Sequence, residues 1–374
     1  MESFRLNSRI VEDNKEFLIQ TVNDDRQGVV RTSLFVNGEF LDADSLPHAE
    51  EATEEQVLEL VKSAHGDKKS ELEYLLRSYR DVLERGTPEM MCQLGMALHY
   101  KRMYGEAIRL FRTAVKLRDS YNDAYFFLSQ AEMGAKNYEG AIQAGEKAIE
   151  LKPMYADYHN NLGEAYLAAG KCTRAAEEFA DAVKRNVYYA DAYFNQAITI
   201  VVNGITHEDF ELAQNLKAKA IDLLKKATLI NPFFKNADYN EAVAAIRGDD
   251  FDQARQLLLR IREDNKEKQR LEKAAYFHRF LMYTDWLNGD NIAERIRYLK
   301  REIEKNPGYV DLYHELAVCY LHKSKFEWSR GIEYFKEALQ INPELKKAQR
   351  SLDLSEDYYM KMADAVYDIT EKES

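Results

Sequence analysis

Apolar and small positions recur three times without gaps, beginning near residue 88, at a spacing of about 34 residues. Leu94 and Gly95 are followed by Ala107, Phe111 and Ala114. Leu128 and Ser129 are followed by Ala141, Gly145, Ala148 and Pro153, and Leu162 and Gly163 by Tyr166, Ala175, Phe179 and Ala182. In each copy an apolar residue precedes a small one, an Ala lies twelve positions on, and another lies seven beyond that. The spacing predicts a pair of antiparallel helices per copy, with small residues where helices cross closely and aromatic rings filling the gaps. Proline closes a second helix because it cannot continue one and biases its predecessor away from α. One pair cannot bury its apolar side alone, so successive pairs must stack.

The pattern continues less regularly. A fourth copy starts at Ala190 with Tyr193 and Ala197, but its Ala220, Leu224, Ala227 and Pro232 arrive late, which places an insertion near 202–219. A fifth, from Lys235, has Ala242, Ala254, Leu258 and Ile261 around a turn at Gly248, Asp249 and Asp250. A sixth, Tyr276 to Pro307, keeps Leu299 but has Arg295 and Glu302 in place of alanines. A seventh, Val310 to Pro343, has Leu316, Ala317, Tyr320, Gly331, Phe335 and Ala338. Residues 51–87 read as a linker and N-terminal capping helices, the latter from Leu72, Leu75, Leu76, Tyr79 and Val82; residues 344–374 read as a C-terminal capping helix and short tail. Residues 1–50 differ. Runs at 17–22 and 29–36 are rich in β-branched and aromatic residues, and Asn37-Gly38 offers a type I′ turn into residues 39–41. They predict a small β-meander, too small to stand alone, that packs on a helix near 54–63 or on the array.

The repeated residues resemble the tetratricopeptide repeat family. The resemblance covers residues 88–343 as about seven copies and implies a mostly α fold: a right-handed α-solenoid of helix pairs behind the small β-meander. In that family the first helix of each pair lines a concave groove that takes peptides. Carried over, the groove positions two before the small crossing residue are Gln93, Phe127, Asn161, Asn195, Asn240 and Glu315. The three asparagines are similar to the ladder some members use to grip a peptide backbone, since a carboxamide both donates and accepts; the other reading is that they serve solubility. One position earlier stand Cys92, Phe126, Asn160, Phe194, Tyr239 and His314, with Phe280 in the sixth copy. These aromatics either face the groove as rigid contacts or pack on the next repeat. The clamp for acidic tails found in some members needs Lys and Arg, where this chain has Cys92, Met96, Phe127, Asn236 and Asn240.

Composition narrows the function. The net charge of −12 makes nucleic-acid and anionic-membrane binding poor expectations. The mixed-charge stretch from Arg260 to Lys273 reads as a solvated helix face. Cys92, Cys172 and Cys319 form no C-x-x-C pair, and Met1 to Arg9 contain no apolar run of a signal peptide, so a cytoplasmic protein is expected. His314-Glu315 begins a zinc-protease pattern, but Val318 stands where its second His belongs, and Cys319 and His322 do not converge with His314. No phosphate loop or nucleophile elbow is present. The expectation is therefore no enzyme, no cofactor and no metal, but a scaffold or adaptor holding a protein or peptide segment. Its groove residues are Gln93, Phe126, Phe127, Asn160, Asn161, Phe194, Asn195, Tyr239 and Asn240. The alternative is a structural subunit that assembles through its convex face or the edge of the N-terminal sheet. The partner and the oligomeric state are not encoded legibly.

Overall fold

The structure, a computed structural model, describes residues 4–24, 26–49, 52–282, 289–305 and 310–371. It forms two compact units, residues 1–185 with 190–277 and residues 186–189 with 278–374.

The first unit begins with four antiparallel strands in sequential order: β1 (Arg5–Glu12), β2 (Lys15–Asp24), β3 (Val29–Val36) and β4 (Glu39–Pro47). The sequence pattern predicts three strands; β1 is additional. Its turn is made by Asp13 and Asn14, both at positive φ (48° and 61°), and the expected Asn37-Gly38 turn has the same character (51° and 83°). Phe17, Ile19, Thr21 and Asn23 of β2 and Val30, Thr32 and Leu34 of β3 alternate inward. They meet a single helix, α1 (Glu54–Arg85, 32 residues), where Val57, Val61 and Ala64 close over Val30. A Thr53–Gln56 capping box starts α1. His65 of α1 is held by Ser8 Oγ at 2.7 Å and Thr21 Oγ1 at 3.0 Å, so both ring nitrogens fasten the sheet to the helix. The expected linker with several capping helices is thus one long helix that serves as the second layer of the sheet.

Three regular pairs follow: α2 (Pro88–Tyr100) with α3 (Tyr104–Leu117), α4 (Asn122–Gly134) with α5 (Tyr138–Leu151), and α6 (Ala156–Ala168) with α7 (Cys172–Arg185). The small residues sit where the spacing places them. A Cβ on Gly95 would lie 2.6 Å from Phe111, and one on Gly163 2.7 Å from Phe179. Ala107, Ala114, Ala141, Ala175 and Ala182 are fully buried. The fourth pair, α8 (Ala190–Thr206) and α10 (Leu216–Ile230), brackets the insertion with its short α9 (Phe210–Ala213). The insertion is ordered by what it caps. Glu208 accepts from the Cys172 amide at 2.7 Å and Asp209 from Thr173 Oγ1 at 2.8 Å, at the start of α7. Asn203 braces Asp209 through two hydrogen bonds.

The fifth pair is α11 (Ala237–Arg247) with α12 (Phe251–Met282), joined by the expected turn, with Asp249 at φ 66°. Ala254, Leu257, Leu258 and Ile261 of α12 join the core of the fourth and fifth pairs. Helix α12 nevertheless runs for 32 residues, against 14 or 15 for α3, α5, α7 and α10.

In the second unit, α13 (Gly289–Lys305), α14 (Val310–Ile341) and α15 (Lys346–Glu371) pack in sequence. Here the expected seventh helix pair is one 32-residue helix, α14. No Gly, Pro or Asn lies between Tyr320 and Arg330 to turn the chain, and a Cβ on Gly331 would meet nothing within 4 Å, so this glycine marks no helix crossing. Helix α15 packs on α14: Trp328 Nε1 donates to the Ser355 carbonyl at 2.9 Å and its ring meets Tyr358 edge-on. Pro307 and the side chains of Phe280, His314, Glu315 and His322 lie outside the described residues.

Candidate protein-binding face

The first helices of the pairs, α2, α4, α6, α8 and α11, present the residues expected to line a groove, and burial sorts them into three groups. Gln93 and Asn240 are exposed. Phe126 and Phe127 are half-buried; Phe126 stacks on Tyr158 of the next pair with ring centres 4.6 Å apart, and Phe127 stacks on Phe111. Phe194 and Tyr239 are core residues instead. Phe194 is fully buried and lies parallel to Phe234 at 4.3 Å, so packing on the neighbouring repeat, not groove contact, is its role. Phe234 belongs to a one-turn 3-10 helix, Pro232–Phe234, that the helical pattern does not reveal.

The asparagines are buried and already bonded within the chain. Asn161 donates to Ser129 Oγ at 2.7 Å, and Ser129 donates on to the Ala141 carbonyl, so this amide joins one pair to the next. Asn195 donates to Asn160 Oδ1 at 3.0 Å and to Glu164 Oε1 at 2.9 Å. Asn160 and Asn195 therefore act as supports for a carboxylate, Glu164, rather than as free rungs.

That carboxylate meets a residue far along the chain. Lys266 of α12 donates to Glu164 Oε2 at 2.7 Å, and Asn265 donates to Asp191 Oδ1, at the start of α8, at 3.0 Å. One turn on, Arg270 donates to the Tyr100 carbonyl at the end of α2 (2.6 Å) and to Asp42 of β4 (3.1 Å). Glu267 pairs with Arg102 at 2.7 Å, and the Lys273 ammonium lies 5.7 Å from the centre of the Tyr100 ring. Residues 262–273 of α12 thus lie along the first helices and reach the sheet. The expected solvated face of Arg260 to Lys273 is one side only, with Arg260, Glu263, Asp264 and Lys268 exposed, while the other side packs on the first helices. The side chains of Arg262 and Arg270 retain only 18% and 12% exposure. Polar side chains can be buried here because each finds a charged or carbonyl partner.

Electrostatics follow this packing. Burial pushes the Glu164 carboxyl upward, but Lys266 and then Arg262 outweigh it and hold Glu164 below its ordinary value. Asp191 goes the other way: burial first, then the neighbouring Glu164 charge, raise it from 3.8 to about 6. Burial, with Lys273 and Arg270 beside it, pushes the His99 imidazole down to about 3. At the sheet end, Lys68 of α1 lies 2.7 Å from Asp44, 3.4 Å from Glu71 and 3.9 Å from Asp42. Lys101 also pairs with Glu71. A continuous run of paired charges therefore joins α1, β4, α2 and α12.

Ser8 and His65 form a hydroxyl–imidazole pair, which the sequence does not reveal, but Thr21 occupies the place where a carboxylate would orient the ring. Burial, then Lys69, lowers the His65 pKa. No His, Cys, Asp and Glu group among the described residues could hold a metal ion. No described helix is long and apolar enough to cross a membrane.

A TPR repeat family model matches residues 130–170, and two tetratricopeptide repeat models match residues 160–204 and 88–121. No curated protein matches the chain. Among solved structures, MamA is 22% identical, covering 48% of this chain and 93% of its own, with a TM-score of 0.35. YrrB, described as a TPR protein with an unusual peptide-binding site, is 16% identical, covering 52% and 97%, with a TM-score of 0.36. A thermophilic TPR protein of Thermus thermophilus, TTC0263, is 19% identical, covering 63% and 100%, with a TM-score of 0.35.

Proposed function

Because this chain is a tetratricopeptide-repeat protein, we propose that it is a non-catalytic scaffold or adaptor whose first-helix face takes a segment of another protein. Repeats of this kind are generally protein-interaction modules. The observation that supports the reading is that the same face already holds a helix of its own chain. Glu164, Asp191 and the Tyr100 carbonyl grip α12 side chains by direct hydrogen bonds. A surface with that donor and acceptor pattern is suited to a polypeptide ligand, and the half-buried Phe126 and Phe127 add apolar contact area beside it.

A photo-crosslinking side chain at exposed Gln93 tests the reading against one at Glu177, an exposed position on the second helix α7. In extract from the source cell, crosslinks to a partner protein are expected from position 93 and not from 177. Crosslinks from 177 alone would overturn it and favour assembly through other surfaces. Among these is the β1 edge, whose eight residues pair on one side only.

A further inference from the structure

Helix α12 changes character at Ile261. Up to that point its buried residues are apolar and serve the core of the fourth and fifth pairs. Beyond it the buried residue among those described is Asn265, and the side turned to the first helices carries Arg262, Lys266 and Arg270. Those three are four residues apart, so they share one helix face. Lys266 and Arg270 find acceptors in Glu164, the Tyr100 carbonyl and Asp42, which belong to α6, α2 and β4; Arg262 donates to Glu263 of its own helix and acts on Glu164 through its charge. Two segments of one helix are thus held by different physics: the first by apolar burial, the second by ion pairs and amide bonds.

We propose that residues 262–273 are a resident ligand of the first-helix face. The partner this face takes in trans is a helical protein segment carrying Arg or Lys at positions i, i+4 and i+8. This rests on the scaffold reading above and adds the chemistry of its ligand. Charge complementarity selects the partner. Glu164 is already positioned by Asn195 and Asn160, and Asp191 stands beside it, so an incoming cationic helix meets a preorganised acidic site. The resident segment is replaceable because a polar contact gives up equivalent hydrogen bonds to water or to a competitor when it opens. Among the described residues of α12, no apolar core residue has to move, since those lie at or before Ile261. The N-terminal sheet acts as the latch. Asp42 receives Arg270 and is itself backed by Lys68, so the far end of the resident segment is fastened to the sheet.

The test uses a fluorescein-labelled synthetic peptide with the sequence of residues 258–274, and a control peptide with Glu at its 262, 266 and 270 positions. Binding is read by anisotropy to the full chain, to Lys266→Glu with Arg270→Glu, and to that variant with Glu164→Lys and Asp191→Lys added. A resident competitor lowers apparent affinity by the fraction of time it leaves the site empty. The Lys266→Glu, Arg270→Glu variant should therefore bind the peptide at least about ten-fold tighter than the parent. The control peptide, and the variant with reversed face charges, should bind at least about ten-fold more weakly than that. Because Arg270→Glu also strains the sheet, Arg262→Ala with Lys266→Ala is a milder second release, with folding checked by circular dichroism. In the parent chain, saturating peptide should also speed amide exchange at 262–273 without changing it at 251–260. Equal affinity for parent and released chains, or no binding to any, overturns the resident-ligand proposal. If reversal of Glu164 and Asp191 still abolishes binding in the first of those cases, the face remains a binding surface. Binding that ignores that reversal removes the scaffold face as well.

Discussion

Replacing Arg270 by Ala removes a guanidinium that serves three acceptors on three elements. It donates to the Tyr100 carbonyl at 2.6 Å, to Asp42 at 3.1 Å and to Glu267 at 2.8 Å. The Arg270 and Asp42 side chains are 12% and 9% exposed, so this pair is close to the buried limit. Breaking a buried pair from one side typically costs about 3–5 kcal/mol, because the other charge is stranded. Asp42 keeps Lys68 at 3.9 Å, which puts the expected loss at the lower end, about 3 kcal/mol. A control, Arg174→Ala, removes a pair whose partners are 68% and 59% exposed, where about 0–1 kcal/mol is expected. Urea unfolding followed by far-UV circular dichroism at pH 7 compares the two. With a slope of about 1–3 kcal/mol per molar, the Arg270→Ala midpoint should fall by about 1 M or more. A double-mutant cycle with Asp42→Asn should return a coupling of at least about 1 kcal/mol. An Arg270→Ala loss as small as that of Arg174→Ala, with no coupling to Asp42, would mean that α12 is not fastened to the sheet.

Further outcomes follow from other contacts. Gly163→Ala should cost about 1–3 kcal/mol, because its Cβ would lie 2.7 Å from Phe179 in a filled core. Gly66→Ala should stabilise by about 0.5–1 kcal/mol, since that Cβ meets nothing within 4 Å inside α1; thermal melts that rank the two the other way would contradict the packing. Asp191→Asn should stabilise at pH 7 by up to about 3 kcal/mol, because burial and Glu164 raise the native carboxyl from 3.8 to about 6. The native state then binds a proton more tightly than the unfolded chain. The penalty grows as pH rises from 3.8 to about 6 and is absent at lower pH, so the advantage of Asn should shrink toward about pH 4 in paired urea titrations. Glu208→Ala with Asp209→Ala should cost about 1–2 kcal/mol and speed amide exchange at the start of α7, which those carboxylates cap from the insertion.

What could be read from the sequence was what local spacing encodes. The glycines at 95 and 163 and the alanines twelve and nineteen positions on recur because close helix crossing needs them, and their partners Phe111 and Phe179 lie within the same copy. The Asn37-Gly38 turn was equally local. Strand β1 was obscured by charged residues, Arg5 and Arg9 on its open face and Glu12 on the face toward α1, which interrupt the β-branched signal. The amide type at 160, 161 and 195 was evident, but not that the partners are Ser129 and Glu164 of the same chain. The resident segment had no legible signal at all. Its pattern from Arg262 to Arg270 looks like a solvated face, because the groups that bury it stand at 42, 100, 164 and 191. Periodicity also left Phe194 between groove and core, and only Phe234, forty positions away, decides it.

Residues 262–273 of α12 are held on the first-helix face by charge. Amide exchange of residues 262–273 in the parent chain, in Glu164→Lys, in Lys266→Glu and in the two combined measures this most directly. Each single reversal should speed exchange in that segment while leaving 251–260 protected, and the combined swap should restore protection toward the parent level. Fast exchange of 262–273 in the parent chain, or single reversals without effect, would contradict the account.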